Sequence, residues 1–144
     1  MHEIIFGRGF VLGSLLMTIL LMPVVQASYA DNSTIVINAS GENKDLSFSI
    51  TTSDSSPSIY GFVVTSVSHG HYSEIIKSPE GWSPGVIRNL SAMWTTKDHP
   101  IEPGSTEDDF VVEVTRKGTY EIRWSALDNS WQPVAWGTIT ITVN

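Results

Sequence analysis

Hydrophobic and polar residues alternate with a period of two along most of the chain beyond residue 30. The alternation is clear over residues 46–51, 110–115, 120–125 and 137–143. Because successive side chains of a strand point to opposite faces, this pattern predicts strands with one buried face. No convincing period of 3.6 residues, which would predict a helix, occurs in this region. Turn residues separate the segments, so we expect about seven to nine short strands, as in a sandwich.

Further strands are predicted where the alternation is shorter or less regular. Residues 33–38 predict a short first strand, 59–68 a longer one buried on both faces, and 74–77 a short edge strand. Gly118 and Tyr120, at the start of a late strand, resemble the tyrosine corner of immunoglobulin-like sandwiches. The sequence therefore predicts an all-β fold, an immunoglobulin-like antiparallel β-sandwich over residues 31–144.

The first thirty residues have the order of a secretory signal. A short segment ending at Arg8 precedes an uncharged apolar run over 9–25, and small or polar residues follow it. This order predicts an apolar signal helix within residues 1–30, with cleavage before Ser28 or before Asp31. The protein is then secreted, or held in the extracytoplasmic cell envelope.

Two other interpretations of the N-terminal segment stay open. An uncleaved 9–25 run would be a membrane anchor, since it reaches the lower length limit for a spanning helix. Arg8-Gly9-Phe10 also resembles a prepilin cleavage site, although Ser14 stands where pilins usually carry Glu. A filament subunit is therefore an alternative, either pilin-like or one whose 33–38 strand completes a neighbour's sheet. Both filament interpretations would make the protein a homo-oligomer.

Composition excludes several classes of function. The chain of 144 residues carries a net charge of −7 with only 8 Lys and Arg, so it lacks the basic patch of a nucleic-acid binder. Without cysteine it has no disulfide, zinc–thiolate site or thiol nucleophile. It also lacks a Gly-x-Ser-x-Gly motif, and no catalytic residue is identified. We expect a protein that is not an enzyme.

The turn and aromatic motifs from Pro79 to Trp136 resemble a known family. Their order and rough spacing are similar to those of YcnI-like domains, exported sandwich modules associated with copper, in the segments 79–82, 93–95, 100–104, 118–120 and 132–136. The closing segment also resembles the last hairpin of CopC-like copper proteins. The resemblance implies an immunoglobulin-like fold and copper handling. The family's N-terminal histidine is absent here, because both predicted mature chains begin with another residue.

Histidines and asparagines supply the remaining candidate sites. His69 and His71, separated by one glycine, could converge on Cu(II) or Zn(II), and His99 could join them if the fold brings the loops together. The alternative is an exposed loop in which histidine is tolerated. Three asparagines fit the N-glycosylation pattern, provided that the host glycosylates exported proteins: Asn32, Asn38 and Asn89.

Three of the five tryptophans stand in or beside predicted turns: Trp82, Trp131 and Trp136. We expect them to plug the open ends of the sandwich, with a platform for a glycan or a partner as the alternative. The leading hypothesis is an exported, non-enzymatic module that binds an unknown protein or glycan at the cell surface, without a cofactor. A copper-binding protein and a filament subunit are the alternatives.

Overall fold

The computed structural model describes residues 24–29, 34–68 and 70–144, and this part of the chain is built from β-strands. It contains no helix long and apolar enough to cross a membrane. Ten strands follow one another in the described residues: β1 Val24–Tyr29, β2 Ile35–Glu42, β3 Asp45–Thr52, β4 Gly61–Ser66, β5 Tyr72–Lys77, β6 Ser83–Ile87, β7 Ser91–Thr95, β8 Thr106–Val114, β9 Gly118–Leu127 and β10 Pro133–Val143.

The strands form two antiparallel sheets that enclose one core. The first sheet has the order β1-β2-β3-β8-β5 and the second the order β10-β9-β4-β7-β6. Hairpins join β1 to β2, β2 to β3, β6 to β7 and β9 to β10, while the other connections cross between the sheets. The predicted all-β sandwich is confirmed. Nine of the described strands, β2 to β10, lie within residues 31–144, which agrees with the predicted seven to nine, and β1 is a tenth strand before them.

The additional strand β1 lies where the sequence predicts the end of the signal segment. It pairs antiparallel with β2, from Val24 opposite Gly41 to Tyr29 opposite Val36, and it also packs along β10. The alternation of apolar and polar residues that predicts the other strands is absent here, and no strand is expected from it. Residues 1–23, which hold most of the predicted apolar helix, lie outside the described residues.

Alternating residues of both sheets meet in a core rich in aromatic side chains. Phe62 lies at the centre, with ring centroids 5.2 Å from Phe110, 5.8 Å from Phe48 and 6.0 Å from Trp94. Trp82 packs edge-on against Phe110 at 5.3 Å and is only 6% exposed. Such pairs each stabilise a core by about 0.5–1.5 kcal/mol beyond area burial. Trp82 thus plugs one end of the sandwich, as expected for it.

The predicted tyrosine corner is present at the start of β9. The buried Tyr120 hydroxyl donates a hydrogen bond to the carbonyl oxygen of Arg116, at 2.5 Å. Burial raises the pKa of Tyr120, and it raises the pKa of the more deeply buried Tyr72 much further. The corner ties the β8–β9 connection to the core, as in other immunoglobulin-like sandwiches.

The two sheets end in four edge strands, of which β6 matters most for the candidate site. β6 pairs only with β7 and carries Pro84 opposite Trp94. Because proline has no backbone N–H, it interrupts the row of donors that another strand would need at this edge. The edge of β6 is therefore protected against strand addition.

Candidate ligand-binding cleft

The hairpin turn between β9 and β10 holds a tryptophan in an uncommon backbone conformation. Asn129, Ser130 and Trp131 form a three-residue loop closed by Asp128 and Gln132, whose backbone groups hydrogen-bond at 2.9 Å. Trp131 has a φ of 62°, in the left-handed region. Loops of this kind usually place glycine there, because any side chain at that position is strained.

Hydrogen bonds from one carboxylate fix this turn. Oδ1 of Asp128 accepts from the backbone N–H of Ser130 at 2.8 Å and from that of Gln132 at 3.0 Å. The N–H of Trp131 donates to the carbonyl oxygen of Asp128 at 3.1 Å. The backbone beneath the indole is thereby held in one conformation.

The backbone strain at Trp131 is not offset by packing of its side chain in the core. A left-handed conformation costs a non-glycine residue about 1–2 kcal/mol, and yet the side chain is 51% exposed. Residues held in such conformations cluster at ligand-binding sites, where the surrounding structure enforces them. An exposed, strained and rigidly mounted tryptophan is therefore a feature that suggests binding.

Trp131 forms one wall of an open cleft of about 290 Å³, here called the tryptophan cleft. The other walls come from the start of β6 and the end of β7, with the loops beside them. This volume is at the small end of the range for ligand pockets. The lining residues are Gly81, Ser83, Thr95, Thr96, Lys97, Asp98 and Trp131.

Gly81 and Thr96 make the floor of the cleft rigid. Gly81, with a φ of 79°, sits in a turn in which the N–H of Trp82 donates to the carbonyl oxygen of Pro79 at 3.0 Å. The Thr96 hydroxyl donates to the Gly81 carbonyl oxygen at 2.9 Å and accepts from the N–H of His99 at 3.0 Å. A methyl group on Gly81 would lie 2.2 Å from Cδ2 of His99, so this position has no room for a side chain.

Four other polar side chains of the cleft are free to meet a ligand. Ser83, Thr95, Lys97 and Asp98 make no side-chain hydrogen bond or ion pair to any described residue. Lys97 and Asp98 carry opposite charges and follow each other in sequence, so the cleft has little net charge. The arrangement can offer hydroxyl, ammonium and carboxylate groups opposite an aromatic ring.

Trp136 is equally exposed, at 57%, but lies elsewhere on the second sheet. Its cross-strand row runs through Ser125, Val63 and Met93 to Gly85. Trp136 is at the β10 end of this row, four strand spacings or about 19 Å from β6. It does not line the cleft. For Trp131 and Trp136 the expectation of plugging is thus wrong, because neither indole enters the core.

A second concavity lies on the outer face of the first sheet, with a volume of about 360 Å³. Asn38, Ser47 and Ser49 line it, and a pair between Lys77 and Asp109, with Nζ and Oδ1 3.6 Å apart, closes one side. None of its lining residues is an exposed aromatic, and one wall is Val25 of β1. The tryptophan cleft is therefore the stronger candidate for a binding site.

His71 and His99, two of the three histidines predicted as metal ligands, are not brought together. His71 precedes β5, where its carbonyl oxygen accepts from the N–H of Thr115 at 2.9 Å. His99 lies beyond the other end of β5, against Gly81. The six residues of β5 span roughly 20 Å, so His71 and His99 do not share a metal ion. His69 lies outside the described residues, and no group of three potential metal ligands occurs among the described ones.

The predicted glycosylation acceptors have different surroundings. Asn89 is exposed in the β6–β7 turn, with a φ of 57°. Asn38 is half-buried within β2, opposite Ser49 on one side and Ala27 on the other. Asn32 lies outside the described residues. Of the two described acceptors, Asn89 is the more accessible.

Comparison with known proteins supports the fold and goes no further. No family model matches the chain, and no curated protein matches it significantly. Among solved structures, it is similar to the crystal structure of an uncharacterized protein from Nocardia farcinica with an immunoglobulin-like fold. The TM-score is 0.54 at 18% identity, over 84% of this chain and 96% of that chain. The chain thus has an immunoglobulin-like fold.

Proposed function

We propose that the protein is an exported, non-enzymatic binding module of the cell envelope, and that it engages its ligand through the tryptophan cleft. The observation that carries this proposal is Trp131, an exposed indole held in a strained backbone conformation. Selection for stability alone favours glycine at such a position. The signal-like segment over 9–25 supports a location outside the cytoplasm.

Polar groups next to the indole support binding over simple exposure. Ser83, Thr95, Lys97 and Asp98 line the same cleft without engaging other described side chains. An aromatic anchor with adaptable polar groups around it is a common composition of recognition surfaces. The rigid floor beneath them lowers the entropy lost on binding.

The test is sedimentation of the purified protein with envelope fragments from the cells that make it. We expect the wild-type protein to co-sediment, and Trp131→Ala to lose at least about 10-fold in affinity, as a buried aromatic anchor does. Trp136→Ala is the matched control, since it removes an indole of similar exposure outside the cleft. Equal losses for both variants, or no loss for either, would contradict the assignment of the cleft.

The alternative functions have less support from the described residues. Copper binding would rest on His69 and His71 alone, because His99 lies beyond the opposite end of β5 from His71. A filament built by donating the 33–38 strand would need that strand to leave its own sheet. Its residues Ile35 and Ile37 are fully buried in the core between the sheets.

A further inference from the structure

The chemistry of the tryptophan cleft indicates which class of ligand it accepts; this inference rests on the function proposed above. One wall is the flat, electron-rich face of an indole, which attracts weakly positive C–H groups. The other walls carry Ser83, Thr95, Lys97 and Asp98, a mixture of donors and acceptors. A fitting ligand is therefore apolar on one face and rich in hydroxyl groups around its rim.

A pyranose ring has this combination of surfaces. Its axial C–H bonds form an apolar face, and its equatorial hydroxyls both donate and accept hydrogen bonds. The hydroxyls of Ser83 and Thr95 match such groups, as do the charged ends of Lys97 and Asp98. Because the two charges offset each other, the cleft favours a neutral sugar over a phosphorylated or carboxylated one.

An extended peptide fits the cleft less well. A peptide that adds to a sheet edge needs an unbroken row of backbone partners, and Pro84 interrupts that row on β6. A peptide held by its side chains needs a deep apolar pocket for an anchor residue. The cleft instead is open and small, with polar walls apart from the indole.

We propose that the tryptophan cleft binds one pyranose ring of a neutral envelope glycan, stacked on the indole of Trp131. The hydroxyl of Thr95 and the carboxylate of Asp98 hydrogen-bond the rim of the sugar. Asp128 acts as a positioning residue, since its carboxylate holds the turn on which the indole is mounted.

The first experiment repeats the envelope sedimentation after chemical treatment of the envelope fragments. Periodate cleaves the bond between two neighbouring hydroxyl-bearing carbons and so opens the sugar rings that carry such a pair. A mixture of glycosidases removes rings that lack it, and exhaustive protease digestion removes proteins. Periodate is quenched before the protein is added, which protects its own tryptophans. We expect periodate or the glycosidases to abolish Trp131-dependent binding, and protease to leave it in place or release it together with glycopeptides.

The outcomes separate the ligand class from the site. Binding that depends on Trp131 but survives both periodate and glycosidase digestion would overturn the glycan proposal and leave the proposed function standing. Binding that does not depend on Trp131 would overturn both.

The second experiment identifies the sugar on an array of neutral oligosaccharides, followed by titration of the best one. We expect Trp131→Ala to weaken binding at least about 10-fold and Thr95→Val, which keeps the shape but loses the hydroxyl, to weaken it about 3- to 10-fold. Trp136→Ala should stay within twofold of the wild type. The proposal is wrong if no neutral oligosaccharide binds, or if neither Trp131→Ala nor Thr95→Val lowers the affinity for it.

Discussion

The left-handed conformation of Trp131 predicts an inverted order of stability for two substitutions. Trp131→Gly and Trp131→Ala remove the same indole and differ by a single methyl group. In this conformation alanine is strained by about 1–2 kcal/mol. Against this, alanine restricts the unfolded chain and thereby gains about 0.4–1 kcal/mol over glycine. We therefore expect the glycine variant to be more stable than the alanine variant by about 0.8 kcal/mol.

Urea denaturation at constant pH measures this difference. For an m-value of about 1.5 kcal/mol/M, 0.8 kcal/mol separates the two midpoints by about 0.5 M. Thr140, exposed in β10 and without a positive φ, provides the control pair. There, alanine should exceed glycine by about 0.5–1 kcal/mol, the ordinary order in a strand.

An alanine variant at position 131 as stable as the glycine variant, or more stable, would refute the reasoning about strain. The comparison is made between the two variants because both lose the exposed indole. The difference from the wild type mixes that loss with the relief of strain.

Four further predictions follow from contacts near the cleft and in the core. Gly81→Ala should destabilise the protein by about 2 kcal/mol and weaken ligand binding, because a methyl there adds left-handed strain and meets an imidazole at 2.2 Å. The control Gly85→Ala lies inside β6, where the nearest atom to the new methyl is the Met93 carbonyl oxygen at 4.0 Å, and it should instead stabilise the protein by about 0.5–1 kcal/mol. Tyr120→Phe should cost about 1 kcal/mol at pH 7 through its lost hydrogen bond, whereas Tyr72→Phe should be neutral or stabilising, since that buried hydroxyl has no partner among the described residues. Because both tyrosines have raised pKa values, the folded state keeps protons that the unfolded state releases above about pH 10. The free energy of unfolding should therefore fall as pH rises beyond 10, and it should fall less in Tyr72→Phe. Denaturation at pH 9 and at pH 11 measures this fall, and an equal fall in the wild type and in Tyr72→Phe would contradict the prediction. Asp128→Ala should lower the free energy of unfolding by about 1–2 kcal/mol and should also weaken ligand binding. Asp128→Asn keeps an acceptor oxygen and should stay near the wild type in both measurements.

The alternation of side chains made most of the fold predictable. β3, β8, β9 and β10 follow directly from it, because their inward residues are the buried ones. The tyrosine corner was also predictable, since it depends on a local spacing of two residues. β1 was not, because an apolar segment before a cleavage-like sequence indicates a signal more strongly than a strand.

The candidate site could be predicted only in part, because its residues are distant in sequence. Thr95 and Trp131 meet only once β7 and the β9–β10 turn are placed at the same end of the second sheet. The position of tryptophan beside a turn did suggest either a plug or a platform. The direction of the side chain decides between a plug and a platform. Trp82 points from its turn into the core, while Trp131 is directed outward by its positive φ. A backbone angle of this kind cannot be inferred from residue type, since tryptophan rarely adopts it.

If the chain is exported as proposed, the pairing of β1 with β2 makes the order of cleavage and folding consequential. The two predicted cleavage points fall within β1, before Ser28, and shortly after it, before Asp31. An unfolded chain offers them to a peptidase, whereas a folded one has the backbone of β1 engaged in the sheet. A chain cut before folding leaves the backbone groups of Ile35–Glu42 open along one edge, and such an edge pairs readily with other strands. A chain that folds first keeps β2 covered by β1, which then forms the edge itself, so the proposed cleavage would decide which strand is exposed at this edge of the sheet.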